Sequence, residues 1–285
     1  MSSPSRPDAS RAGFPTRDSS FLDELARDSQ RADGAPPFSD QSLVEARSGK
    51  ARVVGSTEAA AIVRSGEAEL VVHPSHRRRG LGRSILGSVI DSTTGDLAVW
   101  AHGDHPGARR LAAEFGFAET RRLLQQRATI SEDARANPLP PGTSIASFRP
   151  GTDDAAWLDL NARAFKEHAE QGSLTADDLD ARKGDDWFDA DDFLLLWSAD
   201  ELVGFCWLKV VAGEPGEFYA VAVAPEHQGE HLGGALVDAG LGRLAERGLD
   251  TASLYVEGDN TSALRLYAAR GFVDFTVDVQ YTLSR

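Results

Sequence analysis

Two stretches of the chain share one local pattern, in which an apolar strand runs into a proline-marked turn and then into glycines that open an amphipathic helix. The first stretch covers residues 72–82 and the second covers residues 223–233. A Gly-Phe pair follows each stretch, at residues 116–117 and 271–272. Backbone N–H groups at the start of a helix form an anion site, and glycine lets a ligand approach them. The repeat therefore predicts two similar domains, each with a site for a phosphorylated cofactor.

The length of 285 residues accommodates two domains of about 140 residues each. Residues 137–142, which contain three prolines and a glycine, are interpreted as a linker between a domain over residues 21–136 and a domain over residues 143–285. Residues 1–20 are rich in Ser, Pro and Arg and lack the apolar segment of a signal peptide. They are expected to form a disordered tail.

Hydrophobic periodicity predicts the same kind of element order in both halves. In the second half we expect strands at 144–148, 193–197, 202–211, 217–223, 251–256 and 275–283, and helices at 153–165, 175–182, 233–247 and 263–270. In the first half we expect strands at 51–54, 59–63, 67–73, 97–101 and 123–130, and helices at 81–91 and 107–115. The order favours an α/β fold with a mixed, mostly antiparallel sheet flanked by helices in each domain.

The composition argues against several partners. The formal net charge of −14 disfavours nonspecific binding to nucleic acid or to an anionic membrane. No run reaches the roughly 18 apolar residues that suggest a membrane span. The single cysteine, Cys206, lies in an apolar run and is expected to be a buried thiol in a cytoplasmic protein. His102 and His105 have no third ligand nearby in sequence, so we expect no metal site.

Two motifs in the expected order resemble the GNAT superfamily of acyl-CoA N-acyltransferases. The family's pyrophosphate turn, [Q/R]-x-x-G-x-[G/A], is matched fully by residues 77–82, whereas residues 228–233 carry His231 at the usual glycine. A second family pattern, N-x-x-A-x-x-L-Y-x-x-x-G-F, is intact at residues 260–272. The resemblance implies a sheet splayed between the fourth and fifth strands of each domain, with acetyl-CoA in the gap and one cofactor site per domain.

The resemblance also implies which residues bind the cofactor. In the first domain these are Leu70, Val71, Val72, Arg77, Arg78, Arg79, Gly80, Leu81 and Gly82. In the second domain they are Val221, Ala222, Val223, Gln228, Gly229, Glu230, His231, Leu232, Gly233, Gly234, Asn260, Thr261, Ser262, Ala263, Leu264 and Arg265.

Acetylation of an amine needs a base for the ammonium proton and an acid for the departing thiolate. Tyr267 stands where the family places its acid, and Glu217 opens the fourth strand of the second domain, where it can act as the base. Counting back from the Gly-Phe pairs sets Ala112 opposite Tyr267. Aligning the turns on their prolines sets Gly66 opposite Glu217 and turns Glu67 to the other face. The second domain is therefore expected to be catalytic and the first noncatalytic.

Four phrases, at residues 100–106, 161–165, 168–172 and 254–260, resemble a tandem-domain branch of the superfamily found in actinobacteria. That branch acetylates the cysteinyl amine of a small Cys-glucosamine-inositol pseudodisaccharide. The resemblance implies an acceptor site formed by Asp40, Glu170, Lys209, Glu217 and Tyr255, and two fused domains favour a monomer. Two alternatives remain open at this point: an acetyltransferase for another amine, such as an aminoglycoside or a peptide N-terminus, and a noncatalytic acyl-CoA sensor.

Overall fold

A computed structural model of the chain describes residues 20–131, 139–166 and 169–285. The described residues form two compact units. The first unit comprises the described residues up to Arg122 together with Thr276–Arg285, and the second unit comprises Leu123–Phe275. The tail expected at residues 1–20 lies outside the described residues, apart from Ser20, and so do the first two residues of the expected linker.

The first unit starts with two helices and continues into a sheet. Its elements are α1 (Ser20–Asp33), α2 (Asp40–Arg47), β1 (Arg52–Gly55), β2 (Ala59–Arg64), β3 (Glu67–Val72), α3 (Leu81–Asp91), β4 (Leu97–His102) and α4 (Pro106–Phe115). The strand β5 (Ala118–Thr129) begins here and ends in the second unit. The sheet order in this unit is β1-β2-β3-β4-β11, because β4 pairs with the end of β11 (Val273–Leu283), the last strand of the chain.

The second unit begins with a strand and three helices and then repeats the order of the first unit from β1 onward, so it has eleven described α-helices and strands. These are β6 (Thr143–Ser147), α5 (Asp154–Ala164), α6 (Ala169–Gly172), α7 (Ala176–Lys183), β7 (Phe193–Ser198), β8 (Glu201–Lys209), β9 (Gly216–Val223), α8 (Leu232–Glu246), β10 (Thr251–Glu257), α9 (Thr261–Ala268) and the start of β11 (Val273–Leu283). Its sheet order is β5-β10-β9-β8-β7-β6. The ladders are antiparallel except β3 with β4 and β9 with β10, which are parallel.

Each unit completes its sheet with a strand from the other half of the sequence. The β5 residues from Leu123 to Thr129 pair with β10 in the second unit, and the β11 residues from Asp278 to Leu283 pair with β4 in the first unit. The compact units therefore do not coincide with consecutive stretches of chain. The domain ranges 21–136 and 143–285 remain predictions about the sequence repeats.

Helices pack against both faces of the sheet in each unit, because the strands carry apolar side chains on both faces. Part of the face that carries Tyr255 in the second unit stays open, since Tyr255 is exposed. In the second unit, α8 and α9 pack on one face over Val203, Leu208 and Leu254. The other face holds an aromatic cluster beneath α5, in which the ring of Trp207 stacks on Phe193 with a centroid separation of 4.3 Å. The sheets form a rigid frame from which the strand ends and turns project.

The predicted fold class is confirmed, and the predicted strands and helices from residue 51 onward lie within a few residues of the observed ones. The helices α1 and α2 were not identified from the sequence. Charged residues dominate α1, and its apolar stripe is short. Leu22 and Leu25 are nevertheless buried with Phe38 against Ile62 of β2.

Candidate active site

The strands β9 and β10 run side by side at their start and then separate. Their ladder joins residues 216–218 to residues 252–254, whereas β9 continues to Val223 and β10 continues to Glu257. The separation opens a wedge that is bordered by the β9 backbone at residues 221–223, which pairs with β8 on its other side. An extended ligand can pair with such a strand edge as an added strand. The expected splay between the fourth and fifth strands is therefore present in the second unit.

The turn after β9 leads into a helix whose first amide groups receive no side-chain cap. The helix α8 begins at Leu232, and the preceding His231 makes no capping hydrogen bond. Gly229 and His231 have left-handed backbones, with φ of 88° and 62°. Uncapped amides at the start of a long helix attract phosphate oxygens. The turn can therefore bind the pyrophosphate of acetyl-CoA although His231 replaces the usual glycine.

The turn after β3 follows the same backbone path with the residue types exchanged. Arg78 has a φ of 62° and Gly80 has a φ of 85°. Each turn thus has two left-handed positions, of which one is a glycine and the other is not. A residue with a Cβ pays about 1–2 kcal/mol for this conformation. Both turns therefore keep the same shape at a similar backbone cost.

Each turn also ends in a glycine that lets two helices and a strand approach closely. A Cβ added at Gly82 would lie 3.1 Å from the Leu111 side chain, and one added at Gly233 would lie 3.4 Å from the Leu266 side chain. Leu111 and Leu266 occupy matching places on α4 and α9. The two sites are therefore built alike down to the packing behind the turn.

The first arginine of the turn in the first unit is held by protein groups. The Arg77 guanidinium donates to both carboxylate oxygens of Asp33, at 2.7 and 2.6 Å, and to the Val72 carbonyl at 3.0 Å. Its charge is therefore balanced, and its main role is to fix the turn against β3 and α1. The backbone amides and Arg78 remain as candidates to contact a phosphate.

A cavity of about 760 Å³ lies in the first unit between the separating ends of β3 and β4. All the cofactor residues expected for this domain line it except Arg79. The β3–β4 ladder stops at Glu69 and Trp100, while the strands run on to Val72 and His102. The volume falls in the range of sites that hold a small-molecule ligand, so the cavity of the first unit is large enough for a cofactor.

Tyr267 lies on α9 and is 9% exposed. Asn260 begins this helix, because its side-chain oxygen accepts from the amide of Ala263 at 3.1 Å. Burial, and then the neighbouring Cys206 thiol, raise the pKa of Tyr267 to about 12. The phenol therefore stays protonated at physiological pH and can donate to a sulfur in the wedge. Cys206 is itself fully buried, and burial raises its pKa, as expected for a packed thiol.

Ala112 occupies the place of Tyr267 in the first unit. The amide of Phe117 donates to the Ala112 carbonyl at 2.9 Å, and the amide of Phe272 donates to the Tyr267 carbonyl at 3.1 Å. The same backbone hydrogen bond therefore aligns Ala112 with Tyr267, although the C-cap residue of α4 is Gly116 and that of α9 is Ala269. A methyl group cannot donate a proton, so the first unit lacks an acid at this position.

Glu217 lies in a row of cross-strand neighbours. It pairs with Lys209 of β8 and with Ser253 of β10. Ladder partners project from the same face of a sheet, so Lys209 and Glu217 share a face with Ser253 and with Tyr255 two residues further on. The Lys209 ammonium lies 5.5 Å from the ring centroid of Trp187, and Tyr255 is 47% exposed. The structure thus brings together three residues expected to bind the acceptor.

The strand β9 of the second unit contains a β-bulge that its counterpart in the first unit, β3, does not have. In the second unit the ladder pairs Trp207 with Ala220 and Leu208 with Phe218, so Tyr219 is an extra residue. In the first unit the β2–β3 ladder runs without a break and pairs Arg64 with Glu67. Removing the bulge residue from the comparison sets Glu67 opposite Glu217.

The expectation that Gly66 stands opposite Glu217 was therefore wrong, and so was the assignment of Glu67 to the other face. A residue count along a strand cannot reveal a bulge, and one extra residue inverts the face of every side chain before it. The first unit therefore keeps a carboxylate at the base position, and Gln280 donates to it at 3.4 Å.

The face of the first unit's sheet that carries Glu67 also carries a buried network of charged groups. Glu69 accepts from the amide and the hydroxyl of Ser39, both at 2.8 Å. His102 lies between Asp278, at 2.9 Å, and Glu69, at 3.7 Å. Burial opposes a charge on His102, but the hydrogen bond to Asp278 and the negative charges of Asp278 and Glu69 raise its pKa to about 9. His102 is therefore a cation that joins β3 and β11 through β4.

Two further residues expected to bind the acceptor lie on helices, not in the cross-strand row of Lys209, Glu217 and Tyr255. Asp40 is the first residue of α2 in the first unit and is exposed. Glu170 belongs to α6, and its side chain lies outside what the structure describes. Sequence reasoning missed Ser253 and the bulge residue Tyr219, whose hydroxyl accepts from Arg182 Nε at 3.0 Å. Neither carried a motif, and only the strand register reveals them.

The sequence profile of the Acetyltransferase (GNAT) family matches the chain twice, at residues 12–117 and 155–272. The chain is 45% identical to a mycothiol acetyltransferase from Sanguibacter keddieii, with 92% of each chain covered. It is 44% identical to a mycothiol acetyltransferase from Kocuria rhizophila, over 92% of this chain and 95% of the relative. The chain belongs to the mycothiol acetyltransferase family.

Membership of this family makes the chain an acetyl-CoA-dependent N-acetyltransferase with two GNAT repeats, as the motifs implied. Solved structures agree on the fold. A GCN5-related N-acetyltransferase from Sphaerobacter thermophilus has a TM-score of 0.72 at 22% identity, with 93% of this chain and 91% of that chain covered. A tandem GNAT protein from the clavulanic acid biosynthesis pathway has a TM-score of 0.67 at 19% identity, with 93% of both chains covered. Within the described residues, no helix combines the length and the apolar character that crossing a membrane would need.

Proposed function

We propose that the second unit transfers the acetyl group of acetyl-CoA to the cysteinyl amine of Cys-glucosamine-inositol, the last step of mycothiol biosynthesis. One observation carries this proposal. Glu217 projects from the strand on one side of the wedge between β9 and β10, and Tyr267 lies on the helix that follows the other strand. A base and an acid thus flank the gap where the β9 edge can receive the cofactor. The names of the relatives support the choice of acceptor.

In this mechanism each group acts on one atom. Glu217 takes the proton of the substrate ammonium, directly or through a water molecule, because only a neutral amine attacks a thioester. Backbone N–H groups of residues 221–223 polarise the thioester carbonyl. Tyr267 donates to the departing sulfur. Its raised pKa of about 12 keeps the donor protonated over the whole range in which the amine titrates.

The first unit binds acetyl-CoA without turning it over in this proposal. It has the cavity, the uncapped turn and a carboxylate at Glu67, but it has Ala112 where the second unit has Tyr267. Loss of the acid removes help for the leaving thiolate, which is worth about 10²- to 10⁴-fold in rate. Each chain therefore binds two molecules of acetyl-CoA and uses one.

The acceptor is a polyhydroxylated molecule, and such ligands need several polar partners in fixed places. Lys209, Glu217 and Tyr255 supply donors and acceptors along the open face of the second unit. Glu170, which belongs to the same unit, is expected to add to them. We place the reaction in the cytoplasm, in keeping with the single, buried, unpaired thiol of Cys206, and we expect a monomer.

Release of free CoA thiol tests the function with Cys-glucosamine-inositol, an aminoglycoside and a peptide amine as alternative acceptors. Selective turnover of Cys-glucosamine-inositol is the expected result. Turnover of another amine alone would keep the mechanism and overturn the acceptor. Tight binding of acetyl-CoA with no turnover of any amine would contradict the enzyme and favour an acyl-CoA sensor.

A further inference from the structure

The row of side chains at the wedge extends one strand beyond the residues considered so far. Ser253, the partner of Glu217, is also the direct partner of Arg127 on β5. The row therefore runs from Lys209 through Glu217 and Ser253 to Arg127, with one residue from each of four adjacent strands. Because ladder partners share a face, Arg127 projects from the same face as the base.

The next row towards the end of β10 has the same organisation. Gln125 is the partner of Tyr255, and its side-chain amide donates to the Tyr255 hydroxyl at 3.0 Å. The β5 residues between and beside them point to the opposite face, where Leu124 and Ala128 pack in the core. The burial pattern of β5 thus agrees with the ladder, and Gln125 and Arg127 belong to the open face.

The environment of Arg127 indicates that it is ready to bind a ligand. Its guanidinium lies 3.5 Å from the ring centroid of Phe275, which is 52% exposed. Its Nε is buried and has no hydrogen-bond partner among the described residues. A buried donor without a partner is costly and calls for an explanation. Stacking on Phe275 fixes the plane of the guanidinium and leaves its donors to a ligand.

The distance from the base to Arg127 suits the far end of a long acceptor. Adjacent strands lie about 4.8 Å apart, so two strand spacings separate Glu217 from Arg127 by about 10 Å at the backbone. An amine bound at Glu217 would place the groups beyond it over Ser253 and Tyr255. The ring furthest from the amine then reaches Gln125 and Arg127.

Charge along the row also fixes the direction of binding. Lys209 and Arg127 are cations on either side of Glu217, and the substrate amine is an ammonium before it reacts. Like charges disfavour the ammonium at both ends of the row, and the carboxylate favours it at Glu217. Neutral hydroxyl groups meet no such penalty at a guanidinium and can accept its hydrogen bonds.

We propose that Gln125 and Arg127, supplied by the strand β5, form a second acceptor subsite that binds the hydroxyl groups of the ring furthest from the reacting amine. The proposal rests on the proposed function for the identity of the acceptor. In that acceptor the ring is the inositol. The subsite determines which amines are good substrates, and it takes no part in the chemical step.

Steady-state kinetics of Arg127→Gln and Arg127→Met test the subsite. Because a hydrogen bond to a charged group is stronger than one between neutral groups, we expect the KM for Cys-glucosamine-inositol to rise by about tenfold or more. The kcat and the KM for acetyl-CoA should stay within about twofold. Met keeps an unbranched stem against Phe275, and an unchanged thermal midpoint for either variant establishes that the sheet is intact.

Arg121→Gln is the matched control. Arg121 lies on the same strand and also stacks on an aromatic ring, with 5.2 Å between its guanidinium and the centroid of Trp100, but it belongs to the first unit. Its substitution should leave the KM for the acceptor unchanged. An equal rise in Arg121→Gln and Arg127→Gln would overturn the proposal.

A truncated acceptor separates binding of the ring from general damage. Cys-glucosamine, which lacks the inositol, should show the same KM with the unsubstituted protein and with Arg127→Gln. An equal loss for both acceptors, or no loss for either, would contradict the subsite. Calorimetric titration of Cys-glucosamine-inositol keeps this result distinct from the proposed function. If the unsubstituted protein binds Cys-glucosamine-inositol without turnover and Arg127→Gln binds it more weakly, the proposed reaction is contradicted and the subsite is supported.

Discussion

The two units have nearly the same hairpin, wedge and turn, yet they differ at two positions that matter for acetyl transfer. Glu67 and Glu217 occupy equivalent ladder positions. Ala112 stands where Tyr267 stands, and a bulge at Tyr219 has no counterpart in the first unit. A repeat can therefore keep the shape of a cofactor site and a carboxylate while it lacks the other groups that the reaction needs.

The two units also differ in the cross-strand row of side chains that contains this carboxylate. The second unit carries the row of Lys209, Glu217, Ser253 and Arg127. The equivalent row of the first unit is Arg64, Glu67, Ala98 and Thr282. In the first unit the neighbouring Glu69 and His102 are buried and paired with protein groups. The second unit thus offers charged and polar groups to a ligand where the first unit uses them for its own stability.

Loss of the acid should have the largest effect. Tyr267→Phe removes the donor to the departing thiolate and should lower kcat by about 100-fold or more, with little change in the KM for acetyl-CoA. Tyr281→Phe is the control, because Tyr281 is equally buried, at 9% exposed, and lines the cavity of the first unit. Its kcat should be unchanged. Equal kcat for the two variants would contradict the claim that Tyr267 of the second unit is the acid.

The charged network of the first unit should make its stability depend on pH. His102 has a pKa of about 9 when folded and about 6.5 when unfolded. Its contribution is therefore fully present below pH 6.5 and is lost as the pH rises through 9. The loss is about 3.5 kcal/mol at most, since one pKa unit corresponds to about 1.4 kcal/mol.

Urea unfolding between pH 6 and 10 (a range set by these two pKa values) measures this loss. His102→Gln keeps a hydrogen-bond donor but cannot titrate, so the dependence should disappear in that variant. A dependence of the same size in His102→Gln would show that another group is responsible.

Most strands, helices and turns of the two units could be predicted from the sequence, because each depends on a local pattern of residues. Pro74 and Pro225 marked the turns, and Asn260 and Tyr267 lay in an intact motif. The bulge at Tyr219 could not be predicted, since nothing in the strand's composition distinguishes one extra residue. Arg127 was also missed, because its partner on the sheet comes from the other half of the chain.

The smallest effects concern the turns. Arg78→Gly and His231→Gly each relieve a left-handed residue and should raise stability by about 0.5–1 kcal/mol, after the entropy that a glycine gains in the unfolded chain. Gly80→Ala and Gly229→Ala, at φ of 85° and 88°, should lower it by about 0.5–1 kcal/mol, because the same strain is offset by the same entropy. Thermal unfolding measures all four. A gain for His231→Gly without one for Arg78→Gly would show that the turns are not equivalent.

The central claim is that the second unit performs acetyl transfer although both units carry a carboxylate at the base position. The most direct test is the rate of CoA thiol release with Cys-glucosamine-inositol in Glu217→Gln and Glu67→Gln, measured side by side. We expect Glu217→Gln to lose about 100-fold or more in kcat/KM and Glu67→Gln to stay within about twofold of the unsubstituted protein. A large loss in Glu67→Gln with full activity in Glu217→Gln would contradict the claim.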